Sequence, residues 1–275
     1  MKKLLLACLL ISFSGLANTP LTIRYSADGH PYPAELLALI LSKSAITMVP
    51  NKVPDIPSQS RAIRLLGKEN GIDVFWGVTS SEWETQAKAI LIPIDKGLLG
   101  YRIPVVHISH KDMFAAVTHA RQLTPFVFGL REDWPDTAIF KRNELDTLMY
   151  GMGAEPIAML RSGRIDALPY DIFDLPKNHG DDIIHESHIA IRYPSAVYFF
   201  VAKNNQALHK LLQDGLLAAI ADGSFDTLFF EYFAATIAQA DLKNRRIIEL
   251  MNPLLPHSAP IYQPQFWLDK SSLTK

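Results

Sequence analysis

The chain has 275 residues, 48% hydrophobic and 20% charged, which supports a globular fold of one large domain or two lobes of about 100 residues each. Its 27 basic residues face 28 acidic ones, a net charge of −1. That balance excludes the broad basic face on which polyanion binding depends, so no nucleic-acid partner is expected.

The N-terminus reads as a secretory leader over residues 1–17: Lys2 and Lys3, an apolar stretch over 4–13, then Gly15-Leu16-Ala17 as a small-x-small cleavage site. Its apolar core, about ten residues, is too short to cross a bilayer of roughly 30 Å as a helix. Leu5-Leu6-Ala7-Cys8 resembles a lipoprotein box, but cleavage there would leave an h-region of only about four residues. Cleavage after Ala17 leaves 25 basic against 28 acidic residues, a net charge of −3, and no cysteine. The expected product is periplasmic, without membrane insertion, disulfides or a thiol nucleophile.

Residues 21–26 alternate like a strand and end in the turn-prone run Asp28-Gly29-His30-Pro31-Tyr32-Pro33. A helix is expected over 34–44, a strand over 46–53, a helix over 60–68 stopped by Gly71, and a short buried strand over 72–77. Strand and helix alternating at this spacing predict a parallel sheet with crossover helices. A second unit follows: a strand over 126–129, a helix from Trp134 through Lys141, a short strand over 146–149, a helix over 155–162 ended by Gly163, and a strand over 165–168. Residues 98–108 and 196–202 are β-rich and lie on either side of that unit. The chain is therefore expected to cross from one lobe to the other and return, a two-segment hinge. The lobes are expected at 18–104 with 194–275, and at 105–193. Residues 207–232 read as helical with a break at Gly223, residues 241–251 as a last helix, and residues 252–264, with four prolines, as an extended surface strap within a C-terminal extension over 241–275. The basic cluster Lys243, Arg245, Arg246 reads as a solvated helix face.

Catalytic signatures are missing. There is no Gly-x-Ser-x-Gly elbow, no phosphate loop and no Gly-x-Gly-x-x-Gly after a strand. His185-Glu186-Ser187-His188 is one residue too short for His-Glu-x-x-His and reads as a polar loop. No metal, cofactor or enzymatic activity is expected.

The run Met159-Leu160-Arg161-Ser162-Gly163-Arg164-Ile165-Asp166-Ala167-Leu168-Pro169-Tyr170-Asp171 resembles the helix, Gly-Arg-hydrophobic-Asp-Ala turn and strand in the second lobe of family 3 extracellular solute-binding proteins. Residues 198–204, then 208–232 with Asp222-Gly223-Ser224-Phe225, resemble that family's closing strand and helical pair. Gly71-Ile72-Asp73-Val74 resembles its third strand. The resemblance spans residues 21–233. It implies an α/β periplasmic-binding-protein fold of two lobes, each a mixed, mostly parallel sheet flanked by helices.

Such a fold implies a ligand in the interlobe cleft, beyond the carboxyl ends of the strands. The first strand would deliver Asp28, His30 and Tyr32, with Tyr32 either stacking on the ligand or packing its own loop. The third strand would deliver Trp76, Gly77 and Thr79. Thr79 and Ser80 hydroxyls would donate to an anion or cap the following helix. The second lobe would deliver Arg131, able to hold a carboxylate through two parallel hydrogen bonds, and Thr137, which with Asp136 would cap a helix whose N–H groups favour an anion. It would also deliver Tyr170 and Asp171, the latter at a place where an acidic residue takes the ligand's ammonium. Arg164 and Asp166 are expected to be structural. Family members that bind α-amino acids follow the third strand with Thr-x-x-Arg. Here Thr79-Ser80-Ser81-Glu82-Trp83 puts Glu82 where the arginine would fall. Either Arg131 or Arg102 takes over the clamp, or the ligand is not an ordinary α-amino acid.

The expected protein is a monomer that captures a small polar solute for an ABC permease or a membrane sensor. The alternatives are a lyase- or dehydratase-type enzyme on the same scaffold, using Glu82, His30 or Asp171, and a ligand-free interaction module.

Overall fold

A computed structural model of the chain describes residues 21–26, 30–54, 56, 58–175 and 180–268. The leader, Cys8 and Asp28 lie outside them. In chain order the first elements are β1 (Leu21–Tyr25), α1 (Tyr32–Ser42), β2 (Met48–Lys52), α2 (Gln59–Leu65), β3 (Val74–Val78), α3 (Ser81–Gln86) and β4 (Lys88–Ala89). Parallel β1–β2 and β1–β3 pairs with intervening helices form the expected crossover unit. The strand β11 (Val197–Val201) completes this sheet by pairing antiparallel with β3 and β4, in the order β2-β1-β3-β11-β4.

The second lobe is built around β5 (Tyr101–His107). It is joined by β6 (Phe128–Arg131), α4 (Asp136–Arg142), β7 (Thr147–Tyr150), α5 (Pro156–Arg161), β8 (Leu168–Asp171), β9 (Ile183–His185) and β10 (Ile189–Arg192). β5 pairs antiparallel with β8, β9 and β10, while β6 and β7 run parallel and meet the start of β8 at a Phe128–Ala167 bridge. Asp166 accepts the Val127 amide at 2.7 Å, so the Asp-Ala turn is structural and fixes β6 beside β8. Back in the first lobe, α6 (Gln206–Ala221) and α7 (Ser224–Gln239) are separated by Gly223, whose φ of 80° makes the break.

The expected helix over 241–251 is instead a turn followed by a strand, β12 (Arg246–Glu249), parallel to β10 in the second sheet. Asp241 has a φ of 49°, which ends α7, and the β-branched pair Ile247-Ile248 finds a ready edge at Ala190 and Ile191. The basic cluster is correspondingly not a solvated face. Arg245 is buried, donating from Nε to Ala240 O at 2.6 Å and from Nη1 to Ile189 O at 3.1 Å, with Glu186 Oε2 at 3.9 Å. Glu186, fully buried, also accepts the amides of His188 and Ile189 at 2.9 and 3.0 Å. The His-Glu-Ser-His run is therefore a structural turn whose carboxylate is already spent.

Besides the two expected crossings between lobes, the C-terminal region makes two more. β12 carries the chain into the second sheet, and residues 250–268 bring it back. Asn143 and Met251 exchange two hydrogen bonds of 2.8 and 2.9 Å, and Asn252 Nδ2 donates to Pro194 O at 2.9 Å. The strap is not wholly a surface feature, because Phe266, Trp267 and Leu268 are buried in the first lobe's core. Trp267 lies against Gly97, where a Cβ would come within 2.5 Å of the indole and where φ is +72°. No other residue fits there without strain.

Candidate functional site: the interlobe cleft

A cleft of about 830 Å³ opens between the two sheets, at the carboxyl ends of β3 and β8. That is the size of a small-molecule site. On the first lobe it is lined by Val78, Thr79, Ser80, Ser81 and Trp83, and on the second by Trp134, Pro135, Asp136, Tyr170, Asp171 and Asp174. The crossing segments supply the floor through Leu99, Arg102, Tyr193 and Ser195. The strap adds Asn252 to Leu255 at the rim.

The first-lobe wall carries hydroxyls and one indole. β3 ends where Thr79 N donates to Ala196 O at 2.9 Å, and the Thr79 hydroxyl donates to Glu84 Oε1 at 2.7 Å. Ser80 caps α3, its Oγ accepting Trp83 N at 3.2 Å. The capping alternative thus holds for Ser80. Glu84 in turn accepts the hydroxyl of Ser258 on the strap at 2.5 Å through Oε2.

The floor and the second-lobe wall together are ionic. Arg102, 7% exposed, donates from Nε and Nη2 to the two oxygens of Asp136 at 2.7 and 3.2 Å. Its Nη1 donates to Leu99 O at 2.7 Å and Tyr101 O at 3.1 Å, with Asp171 Oδ2 at 3.0 Å. The Tyr193 hydroxyl donates to Asp136 at 2.7 Å, and the guanidinium lies 5.0 Å from the Tyr193 ring centroid. Burial works against the Arg102 charge, but Tyr193, Asp136 and Asp171 together hold its pKa above the ordinary guanidinium value. Burial pushes the Asp171 carboxyl up, against the pull of Arg102. Burial likewise raises the Tyr193 phenol.

Of the residues expected in the site, Thr79, Tyr170 and Asp171 line this cleft. Tyr32 does not: it is 1% exposed, donates to Ile94 O at 2.5 Å and packs against Phe229, Tyr232 and Phe233. Its place as the first residue of α1 turns it into the core rather than over the sheet edge. His30 follows it, stacking on Phe233 at 5.5 Å. Trp76 packs against Tyr25 and Phe199. Gly77 makes room for the rings of Phe75 and Trp83, which a Cβ would meet at 2.9 and 3.2 Å. Trp76 and Gly77 line a smaller hollow of about 370 Å³ on the first lobe, which shares Val78 with the main cleft.

Arg131 is not the clamp. It forks onto its neighbour Asp133 at 2.5 and 3.0 Å and lies over Trp134, outside the cleft lining. Thr137 spends its hydroxyl on Arg131 O at 3.2 Å. Asp136 does not cap α4, whose N-cap is Pro135; its carboxylate turns to Arg102 instead. Sequence reasoning missed the Arg102–Asp136–Tyr193 cluster. Pro-Asp at a helix start reads as a cap, and nothing local marks a pairing 34 residues away.

No known family's sequence profile matches the chain, and no curated protein matches it. Solved structures do, at the level of the fold. The chain is similar to the probable amino-acid ABC transporter extracellular-binding protein YtmK of Bacillus subtilis, at 16% identity over 78% of this chain and 98% of that one, with a TM-score of 0.53. It is also similar to the second substrate-binding domain ascribed to an amino-acid ABC transporter of Streptococcus pneumoniae, at 14% identity over 77% and 99% with a TM-score of 0.51. The YckB protein of Bacillus subtilis gives 14% identity over 84% and 96%, with a TM-score of 0.50. The chain has the two-lobed fold of extracellular solute-binding proteins, the fold that the resemblance to family 3 implies. Among the described residues no helix is long and apolar enough to cross a membrane.

Proposed function

We propose that this protein is an exported, monomeric solute-binding protein that captures a small polar solute in the interlobe cleft and presents the closed form to an ABC permease or a membrane sensor. The observation that carries this reading is the cleft itself. Polar and aromatic side chains from both lobes converge at the carboxyl ends of β3 and β8, over a floor made of crossing segments. Ligand bound between two such walls favours the closed arrangement by its contacts to both.

Chemistry on the solute is not proposed. Of the three acid or base candidates, His30 packs on Phe233 and Glu82 bonds Gln86, both outside the cleft lining. Asp171 alone lines it, and it is held by Arg102 and the Phe173 amide.

Calorimetry against amino acids, oligopeptides, sugars, amines and organic acids, paired with small-angle scattering, tests the reading. At least one class is expected to bind at micromolar affinity and reduce the radius of gyration. Binding by none, with an unchanged scattering profile throughout, would leave a ligand-free module as the better account.

A further inference from the structure

Resting on capture in this cleft, we infer that the solute it is built for is a small organic cation without a carboxylate, bearing an ammonium or guanidinium group. Among the described residues, the cleft lining holds one guanidinium, Arg102, against three carboxylates, Asp136, Asp171 and Asp174. Arg102 is not available to a ligand. Its Nε and Nη2 are engaged by Asp136, and its Nη1 by two backbone carbonyls and Asp171. A carboxylate approaching it would have to displace one of these partners and then sit beside the other, in a site of reduced dielectric where like charges repel strongly.

Other groups expected to hold an anion are also committed. The Thr79 proton goes to Glu84, Arg131 forks onto Asp133, and the residue three after Thr79 is the acid Glu82. Asp136 lies on the first residue of α4, so any anion at that helix start would meet a carboxylate.

For a cation the same wall is favourable. Arg102 neutralises one carboxylate charge out of three, which leaves the described lining residues with a formal net charge of −2. Asp171 lies at the second-lobe wall with its carboxyl pushed up by burial, an energetic cost that a cationic ligand relieves. Trp83 and Trp134 border the cleft from opposite lobes. An indole face attracts ammonium and guanidinium groups, most strongly where water is excluded. Pro253, Leu254 and Leu255 of the strap add an apolar rim suited to the carbon skeleton of such a ligand.

Titration calorimetry of the full chain with choline, agmatine and putrescine, against lysine, arginine and glutamate, provides the test. At least one of the three carboxylate-free cations is expected to bind about tenfold more tightly than lysine or arginine, with affinity falling at high salt. Asp171→Asn should weaken that cation by about 10- to 100-fold, the worth of a charge-assisted hydrogen bond. Asp174→Asn, at an exposed position that leaves the fold intact, should weaken it by a few-fold. Equal or tighter binding of lysine, arginine or glutamate overturns the inference, as does cation binding indifferent to both substitutions. Silence of all six compounds also overturns it. Closure on some other class in the wider panel would then show that capture itself stands.

Discussion

Each half of the molecule buries a carboxylate beside the crossing segments, and the two are satisfied in opposite ways. Asp136, 2% exposed on the second-lobe side, receives a guanidinium and a phenol. Asp95, 6% exposed on the first-lobe side, receives the amides of Gly97 and Leu99 at 3.1 and 3.0 Å. The first arrangement sets the carboxylate directly against a guanidinium. The second relies on backbone N–H groups, which do not fully replace lost hydration, and burial raises the Asp95 pKa to about 6. One carboxylate is thus fixed in an ionic cluster, while the other sits in a turn of backbone amides and titrates in a mild range.

The largest effect should come from breaking the ionic side. Arg102→Met keeps much of the side-chain volume but leaves Asp136 buried without a cation. The loss should be about 3–5 kcal/mol, read by chemical denaturation. A loss below about 1 kcal/mol would show that the cluster is not a structural anchor. Arg102→Lys should recover only part of it, since an ammonium cannot reproduce the fork.

A smaller effect, with a sign, is expected on the amide side. The folded-state pKa of Asp95 lies above its unfolded value, so between about pH 4 and 6 the folded chain binds a proton that the unfolded chain has released. Its contribution to stability is therefore present at low pH and lost as pH rises through that window, by up to about 3 kcal/mol. Stability curves of the parent and Asp95→Asn proteins should converge or cross over this range. Parallel curves would remove the contrast between the two carboxylates.

The smallest effect belongs to the strap. Ser258→Ala removes the hydrogen bond to Glu84 and should cost about 1 kcal/mol or less, while leaving the Thr79–Glu84 bond in place. Hydrogen exchange should then rise in residues 252–260 before anywhere else in the chain. A uniform rise across the first lobe would mean that the strap is part of its core along its whole length, not only at Trp267.

Much of the scaffold was legible from the sequence, because it is written in local patterns. Alternation in β1, the Gly223 break between α6 and α7, and the Gly-Arg-Ile-Asp-Ala turn before β8 each follow from short-range backbone preference. Residues 241–251 broke that rule. Their composition suits a helix, but an open edge beside β10 and the left-handed backbone at Asp241 make them a turn and a strand. Propensity yields to an available sheet edge.

The site divides along the same line. Asp171 was legible because β8 carries it to the cleft at a fixed distance from a recognisable turn. Tyr32, Trp76 and Arg131 were placed by the same logic and turned elsewhere, since direction at a strand end depends on which ring or carboxylate is nearby. By itself the sequence determined a charge-balanced globular chain, the succession of strands and helices, and an acidic residue at the end of β8, all properties of neighbouring residues. Tertiary structure alone decided that Arg102 is spent on Asp136 and Asp171, that four rather than two segments join the lobes, and that the cleft carries excess negative charge. Those depend on contacts between residues tens of positions apart, which the folded geometry sets and no local pattern encodes.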